Sequence, residues 1–429
     1  MTPPDSLSER LFDTLCSIPL IDPHTHIDPL SPHCESLSDI LTYHYYTELV
    51  HSAGMPREVI EHPDLSAKEK LSRLIDFLDR IDNTIQHEWI MEMCREFFDF
   101  HEDALTPENW ESVYDSSEKK MASDSWETSV LETSGIEKVF LTNDFDDSLE
   151  GWDTERYVPC LRCDDLVFHL TRPEVQGRLE HATNVRVKDV PTFSMAVASL
   201  FEHFTSHGAK ACAVSLPPDF LPISQIPSDI DPLLQRLFMG KDLSEPEHRA
   251  VQQYVFWLLA LSCQEYNLPF QLMIGVHRQV YRRGVYQGQD LFDQQTSLFQ
   301  FRELFNAFPN VKFPISVLTS SQNQELVAYS WIFPNVYCFG HWWYSNVPTF
   351  IDRDERARLQ AVPKTKQMGW YSDVYKLEFA LPKCHMYRRV LANILAEDFV
   401  LARNWSEDRA IDLGKQILRT NVETVFDIR

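Results

Sequence analysis

The stretch Pro19-Leu20-Ile21-Asp22-Pro23-His24-Thr25-His26 reads as a short β-strand that runs out into two histidines spaced two residues apart. Successive side chains of a strand alternate between its faces, so both imidazoles point the same way. In a barrel of parallel strands that way is inward at the C-terminal rim, where the sites of this fold sit. Two converging imidazoles make half of a metal site. His-x-His alone is a weak signal, and the fold around it has to be read before the pair carries weight.

From residue 136 onward, short β-branched or apolar runs alternate with helical patterns, the signature of βαβ units. Candidate strands cover 19–23, 137–142, 157–161, 209–216, 269–276, 311–318, 336–340 and 367–372. Eight strands with intervening helices predict an α/β fold of the closed (β/α)8, or TIM-type, barrel. An open doubly wound sheet normally uses fewer strands, and no glycine-rich phosphate turn is present. Helix starts are legible at Ser6-x-x-Glu9, at Thr192 before a Met195/Leu200/Phe204 face and at Ser244-x-x-Glu247, and two closing helices are expected over 384–403 and 407–420. Between the first two strands lie about 110 residues, far too many for one crossover. Their pattern is helical, with a segment over 37–53 that ends at Gly54. Ser66-x-x-Glu69 then opens a stripe of Leu71, Leu74, Ile75, Leu78, Ile81 and Ile85, and Thr106-Pro107 opens another helix. The chain therefore divides into residues 1–30 with the N-terminal helix and first strand, a helical insertion over 31–135, and the rest of the barrel with its C-terminal helices over 136–429.

Composition sets the outer limits. With 429 residues, 44% hydrophobic and 24% charged, the chain has ample core material for one large barrel. Its 64 acidic against 39 basic side chains give a formal net charge of −25, which argues against a nucleic-acid partner, though a local arginine cluster could still hold an anionic small molecule. The N-terminus reads as an amphipathic helix and not as a signal peptide. The most apolar stretch, Tyr254 to Ser262, is too short to cross a membrane, so no membrane partner and a cytoplasmic location are expected. Nine irregularly spaced cysteines look like reduced thiols, and Cys160-x-x-Cys163 lacks the second pair a zinc site would need.

The eighth strand ends in Trp370-Tyr371-Ser372-Asp373, beside the first strand once the barrel closes. Three N/O ligands, His24, His26 and Asp373, with room left for water describe a catalytic metal site, with Asp373 as a plain helix N-cap the weaker alternative. This set resembles the amidohydrolase superfamily, and further residues are similar to its uronate (glucuronate) isomerase branch over nearly the full length. They are His44-Tyr45, Ala53-Gly54-Met55-Pro56, Thr142-Asn143-Asp144, Leu161-Arg162-x-Asp164, Gln271-Leu272-x-Ile274-Gly275 with Arg278, Gly340-x-Trp342-Trp343, Ser372-Asp373 and Tyr387-Arg388-Arg389-Val390-Leu391. The sequence departs from that family at three places. Tyr375 stands where an Arg is usual, Met273 replaces a fifth-strand His with His277 four residues on and therefore expected on the same strand face, and Ala213-Val214-Ser215 replaces a fourth-strand ending in Asp-His.

The resemblance implies isomerisation of a uronate between aldose and ketose, glucuronate to fructuronate in type. Moving a proton between C2 and C1 through an enediol needs a Lewis acid and an acid/base pair. One divalent ion is expected, zinc first, with Mn2+, Fe2+ or Ni2+ as alternatives. Asp373, or a metal-bound hydroxide it orients, is the expected base. Tyr45, a phenol of intrinsic pKa near 10, fits as proton donor to a substrate oxygen, with His44 beside it as a further donor. Arg162 would clamp the carboxylate, unless it is tied up with Asp164 or Asp165. Trp342 and Trp343 are expected to alternate, one in the pocket wall and one outward. Tyr375, His277 and Arg278 complete the expected substrate contacts. Tyr45 as insertion packing, His277 as a rim histidine and His44 as a surface residue stay open. The partner is then a sugar acid, with homo-oligomerisation open. A metal-dependent hydrolase of a lactone, ester or amide is the alternative activity, and a non-catalytic carbohydrate binder ranks below both.

Overall fold

A computed structural model describes residues 6–222 and 230–428. Eight parallel strand positions run in chain order around a barrel. They are β1 (Leu20–Asp22), β2 (Ile136–Phe140, resumed at Asn143–Asp144), β3 (Tyr157–Val158 and Cys160–Arg162), β4 (Ala211–Leu216), β5 (Phe270–Ile274), β6 (Phe313–Val317), β7 (Val336–Phe339) and β8 (Gln367–Met368). Pro159 interrupts β3 because it has no N–H to give to a ladder. Each strand pairs in parallel with the next. The seam between β8 and β1 is not a regular ladder. It closes just beyond both strands, where Asp373 N–H donates to His24 O at 3.1 Å and His26 N–H to Val374 O at 2.8 Å. The two segments expected to carry the metal ligands are therefore the two that close the ring.

Inward positions of the strands, Ile21, Phe140, Cys160, Ala211, Ala213, Met273, Phe339 and Met368, form one buried cluster. Phe426 of the last helix (Asn421–Phe426) plugs it, its ring 5.0 Å from that of Phe140. Cys160 belongs to this interior whereas Cys163 packs in the outer layer beside Cys212, so the Cys-x-x-Cys pair points to opposite sides of β3 and holds nothing jointly.

The capping boxes read from sequence at Ser6/Glu9, Ser66/Glu69 and Ser244/Glu247 open the helices Leu7–Cys16, Ala67–Leu78 and Glu245–Glu265. Residues 1–5 of the N-terminal stretch lie outside the described residues. Thr192 is not a cap. The helix Val190–Ser206 is capped by Asp189, Thr192 sits at its third position and Met195 is 61% exposed. The segment expected as one helix over 37–53 is two, Leu37–Leu41 and His44–Ser52. Tyr43 between them is extended, its ring stacked on Phe379 at 4.1 Å. That break turns His44 and Tyr45 over the barrel mouth. The helix read from Thr106-Pro107 begins later, at Trp110. Insertion helices, the N-terminal helix and the helix Ala380–Ile394 share a single apolar cluster, so the insertion packs as part of the barrel body. Among the described residues no helix is long and apolar enough to cross a membrane.

Candidate active site

The floor of the mouth is built first. Gly340 follows β7 at φ +50°, and a Cβ there would lie 2.2 Å from the Tyr371 ring, so only glycine lets that ring slide under the site. Tyr371 hydrogen-bonds Ser316 Oγ at 2.9 Å and packs edge-on against His24 at 5.3 Å.

The two histidines are then oriented from behind. Gln271, wholly buried on β5, donates Nε2–H to Pro23 O at 3.0 Å and so turns Oε1 to His24 Nδ1 at 2.8 Å. His24 must carry its proton on Nδ1 and present a lone pair at Nε2. Thr142 repeats the device on His26. Its hydroxyl donates to Thr25 O at 2.9 Å, which spends its only proton, so it accepts from His26 Nδ1 at 2.8 Å. Both Nε2 lone pairs face Asp373 Oδ1, at 3.7 Å from His24 and 3.4 Å from His26.

Three lone-pair atoms converging within 4.8 Å repel one another unless a cation lies among them, and Asp373 Oδ1 is buried with no hydrogen-bond donor of its own. The donor set fits a divalent ion: two neutral imidazoles and a carboxylate, open to a cavity. Burial, then His26, pushes His24 down to about 4, so it is neutral at physiological pH. Burial opposes ionisation of Asp373, but His26, His24 and Lys383 outweigh it and hold the carboxyl below its usual range. Asp373 also adopts φ +56°, a left-handed conformation that costs a non-glycine residue roughly 1–2 kcal/mol and aims the carboxylate inward. The residue before it, Ser372, is held at both its N–H and its C=O. Ser372 N–H donates to Asp22 Oδ1 at 3.0 Å, and Lys383 Nζ donates to Ser372 O.

The cavity above these atoms encloses about 170 Å3, room for one small molecule. Of the residues expected from sequence, His24, His26, His44, Tyr45, Arg162, Arg278, Trp342, Trp343, Asp373 and Tyr375 all line it. Burial holds the Tyr45 phenol well above its ordinary pKa and, with Lys383 nearby, pushes His44 down to about 3. Arg162 Nε reaches Asp164 at 3.2 Å, which raises its pKa, yet its side chain still faces the cavity. Arg278 is held by Asp290 at 2.7 Å. Tyr375 stacks on His26 with ring centroids 4.9 Å apart, and with His44 and Gln287 it also borders a larger neighbouring cavity of about 870 Å3.

Two expectations change. His277 does not reach the cavity: β5 ends at Ile274, Gly275 turns the chain at φ +107°, and His277 pairs with Asp293 at 3.0 Å in a small hairpin. Four-residue spacing kept the strand face only while the strand lasted, and the inward β5 residue at the cavity is Met273. Trp342 and Trp343 do not alternate either. β7 stops at Phe339 and a helical turn follows at Trp343–Ser345, so both tryptophans reach the cavity. Sequence reading missed Ser215, Gln287 and Asp290 in the lining. It also missed the supporting role of Gln271, signalled by one amide in an otherwise apolar strand, and Lys383, which carries no signal in a helix pattern.

Residues 4–426 match the glucuronate isomerase family. A uronate isomerase of Thermotoga species strain RQ2 is 24% identical over 414 residues, covering 90% of each chain. The crystal structure of a uronate isomerase from Thermotoga maritima superposes with a TM-score of 0.88 at 21% identity, over 99% of this chain and 98% of that one. Glucuronate isomerase from Caulobacter crescentus also gives 0.88, at 17% identity, over 100% and 95%. With the barrel, its closure through the segments that carry His24, His26 and Asp373, and a match spanning nearly its whole length, the chain belongs to the glucuronate isomerase family.

Proposed function

We propose that this enzyme interconverts the aldose and ketose forms of a uronate, and that it does so with one divalent ion held by His24, His26 and Asp373. The observation that carries this reading is the convergence of two oriented Nε2 lone pairs and the unpartnered Asp373 Oδ1 beside Tyr45 and Arg162 in one cavity. When bound, such an ion supplies Lewis acidity toward substrate oxygens; zinc suits two imidazoles and a carboxylate, and Mn2+, Fe2+ and Ni2+ accept the same donors.

The chain's own groups account for the rest. In the open-chain aldose, Asp373 removes the C2 proton, the electron pair forms the C1–C2 double bond of an enediol, and the carbonyl oxygen at C1 takes up a proton. Tyr45 supplies that proton, since burial keeps its phenol neutral. Asp373 then returns its proton to C1 as the O2 proton passes to the Tyr45 phenolate, which leaves the ketone at C2, restores both side chains and changes nothing in composition. Arg162 grips the substrate carboxylate with its guanidinium, and Arg278 adds a second positive charge in the lining. Tyr375 presents a neutral ring and hydroxyl at a position where the family usually has a cation, so glucuronate is expected to turn over weakly and another sugar acid better.

The test is incubation of metal-loaded protein with a panel of uronates in deuterated solvent. Exchange at C2 and appearance of the ketose support the reading. Failure of every uronate to exchange, with metal bound, overturns it.

A further inference from the structure

Behind Tyr45, on the helix Ala380–Ile394, lies Lys383, a wholly buried residue absent from the cavity lining. Its Nζ is 3.3 Å from Tyr45 Oη, donates as well to Ser372 O, and sits over the rings of Tyr45 and Trp89 at 5.0 and 5.5 Å from their centroids. Among the described residues no carboxylate lies within ion-pair distance of it; Asp373 and Asp22 lie near enough to favour its charge, but burial outweighs them and pushes it down to about 8. Burying an unpaired ammonium costs several kcal/mol, and a methionine of similar length would fill the space without that cost. The charge at this place calls for a role other than packing.

Hydrogen-bond inventory supplies one. An ammonium has donors and no acceptor, so in its contact with Tyr45 the phenol oxygen accepts. A phenol has one proton. With its lone pair taken on the lysine side, the O–H is turned away from the helix and toward the cavity that Tyr45 lines. The second bond, to Ser372 O, stops the ammonium from swinging aside. Ser372 is itself held at its own N–H by Asp22, and the N–H of the peptide that Lys383 grips, that of Asp373, donates to His24 O. One buried side chain thus ties the expected proton donor to the backbone that carries Asp373.

We propose that Lys383 is a positioning residue for Tyr45, occupying the phenol's lone pair from behind so that the O–H is presented to the substrate. This rests on the reading above, in which Tyr45 donates to a substrate oxygen.

A double-mutant cycle on the metal-loaded enzyme tests it, with kcat and KM read separately on a uronate that turns over. Lys383→Met is measured in the wild-type and in the Tyr45→Phe background. Acting through Tyr45 predicts a fall in kcat of about tenfold or more for Lys383→Met alone, since positioned proton donors contribute roughly 10²–10⁴-fold. KM should stay within about twofold, as the carboxylate clamp is untouched. In the Tyr45→Phe background the same change should cost almost nothing, and Lys383→Arg should restore most of the activity. Unchanged kcat in Lys383→Met, or an equal loss in both backgrounds, overturns the positioning role while leaving Tyr45 as donor intact. Unchanged kcat in Tyr45→Phe itself overturns Tyr45 as donor and this proposal with it. If Lys383→Met does not fold, Lys383→Gln, which keeps a donor but loses the charge and the reach, goes through the same cycle with the same readings.

Discussion

Replacing Gln271 with leucine probes the orientation of His24 without touching any of the three proposed ligands. The amide is wholly buried and makes two bonds, accepting from His24 Nδ1 at 2.8 Å and donating to Pro23 O at 3.0 Å. Leucine matches its bulk and offers neither. His24 Nδ1–H and Pro23 O are then left unpaired in the interior, each at roughly 1–3 kcal/mol. In the folded protein His24 escapes its share by rotating or by moving its proton to Nε2, and either change removes the lone pair aimed at Asp373. Loss of such a supporting partner typically weakens metal binding about 10–100-fold, which is about 1.4–2.8 kcal/mol at 1.4 kcal/mol per tenfold. The assay is competition of the loaded protein against a chelator of known affinity, with elemental analysis after equilibration. His24→Ala and His26→Ala serve as references and should lose most of the metal while the fold survives. Unchanged metal affinity in Gln271→Leu, with a normal melting curve, would refute the argument that Gln271 sets the tautomer.

Three further outcomes follow from particular contacts. Arg162→Ala should weaken a uronate by about tenfold or more, from the roughly 1.5–3 kcal/mol of a hydrogen bond to a charged group, and leave a neutral sugar analogue unaffected. Equal weakening of both in a binding titration would make Arg162 a structural partner of Asp164. Tyr375→Arg should raise glucuronate turnover by restoring a positive fork at the mouth; wild-type turnover at the median enzyme rate of about 10 per second would remove the reason to expect any gain. Burial, then Asp290, pushes Glu48 up to about 8. Its carboxyl is neutral in both states below about 4.3, where the unfolded side chain titrates, so its contribution to stability is intact there. Between that pH and about 8 the unfolded chain releases the proton and the folded one keeps it, and stability falls as pH rises. Glu48→Gln should therefore melt higher than wild type at pH 8 and close to it near pH 4; parallel pH slopes for the two proteins would show that Glu48 is not the group responsible.

Local chemistry was legible in the residues themselves. Short β-branched or apolar runs between helical patterns located all eight strands, capping boxes located three helix starts, and period-two alternation gave His24-x-His26 its direction, because each of these depends on neighbours within a few positions. Placement of Asp373 beside that pair needed only the rule that the last strand of a closed barrel adjoins the first. The misses occurred where chain direction changes. His277 was assigned to a strand face that Gly275 abolishes, Trp343 was assigned an alternation that ends with β7, and the break at Tyr43 was hidden inside a pattern that reads as continuous helix.

What the tertiary structure alone decided lies one layer behind His24, His26 and Asp373. Whether Gln271 and Thr142 face a histidine, whether Tyr375 stacks on His26, and whether a lysine in the closing helix ends at Tyr45 are questions about atoms brought together from 247, 116, 349 and 338 residues apart. No periodicity encodes such contacts. They are set by how helices seat on the barrel, and a buried polar group finds its partner only once that seating has excluded water.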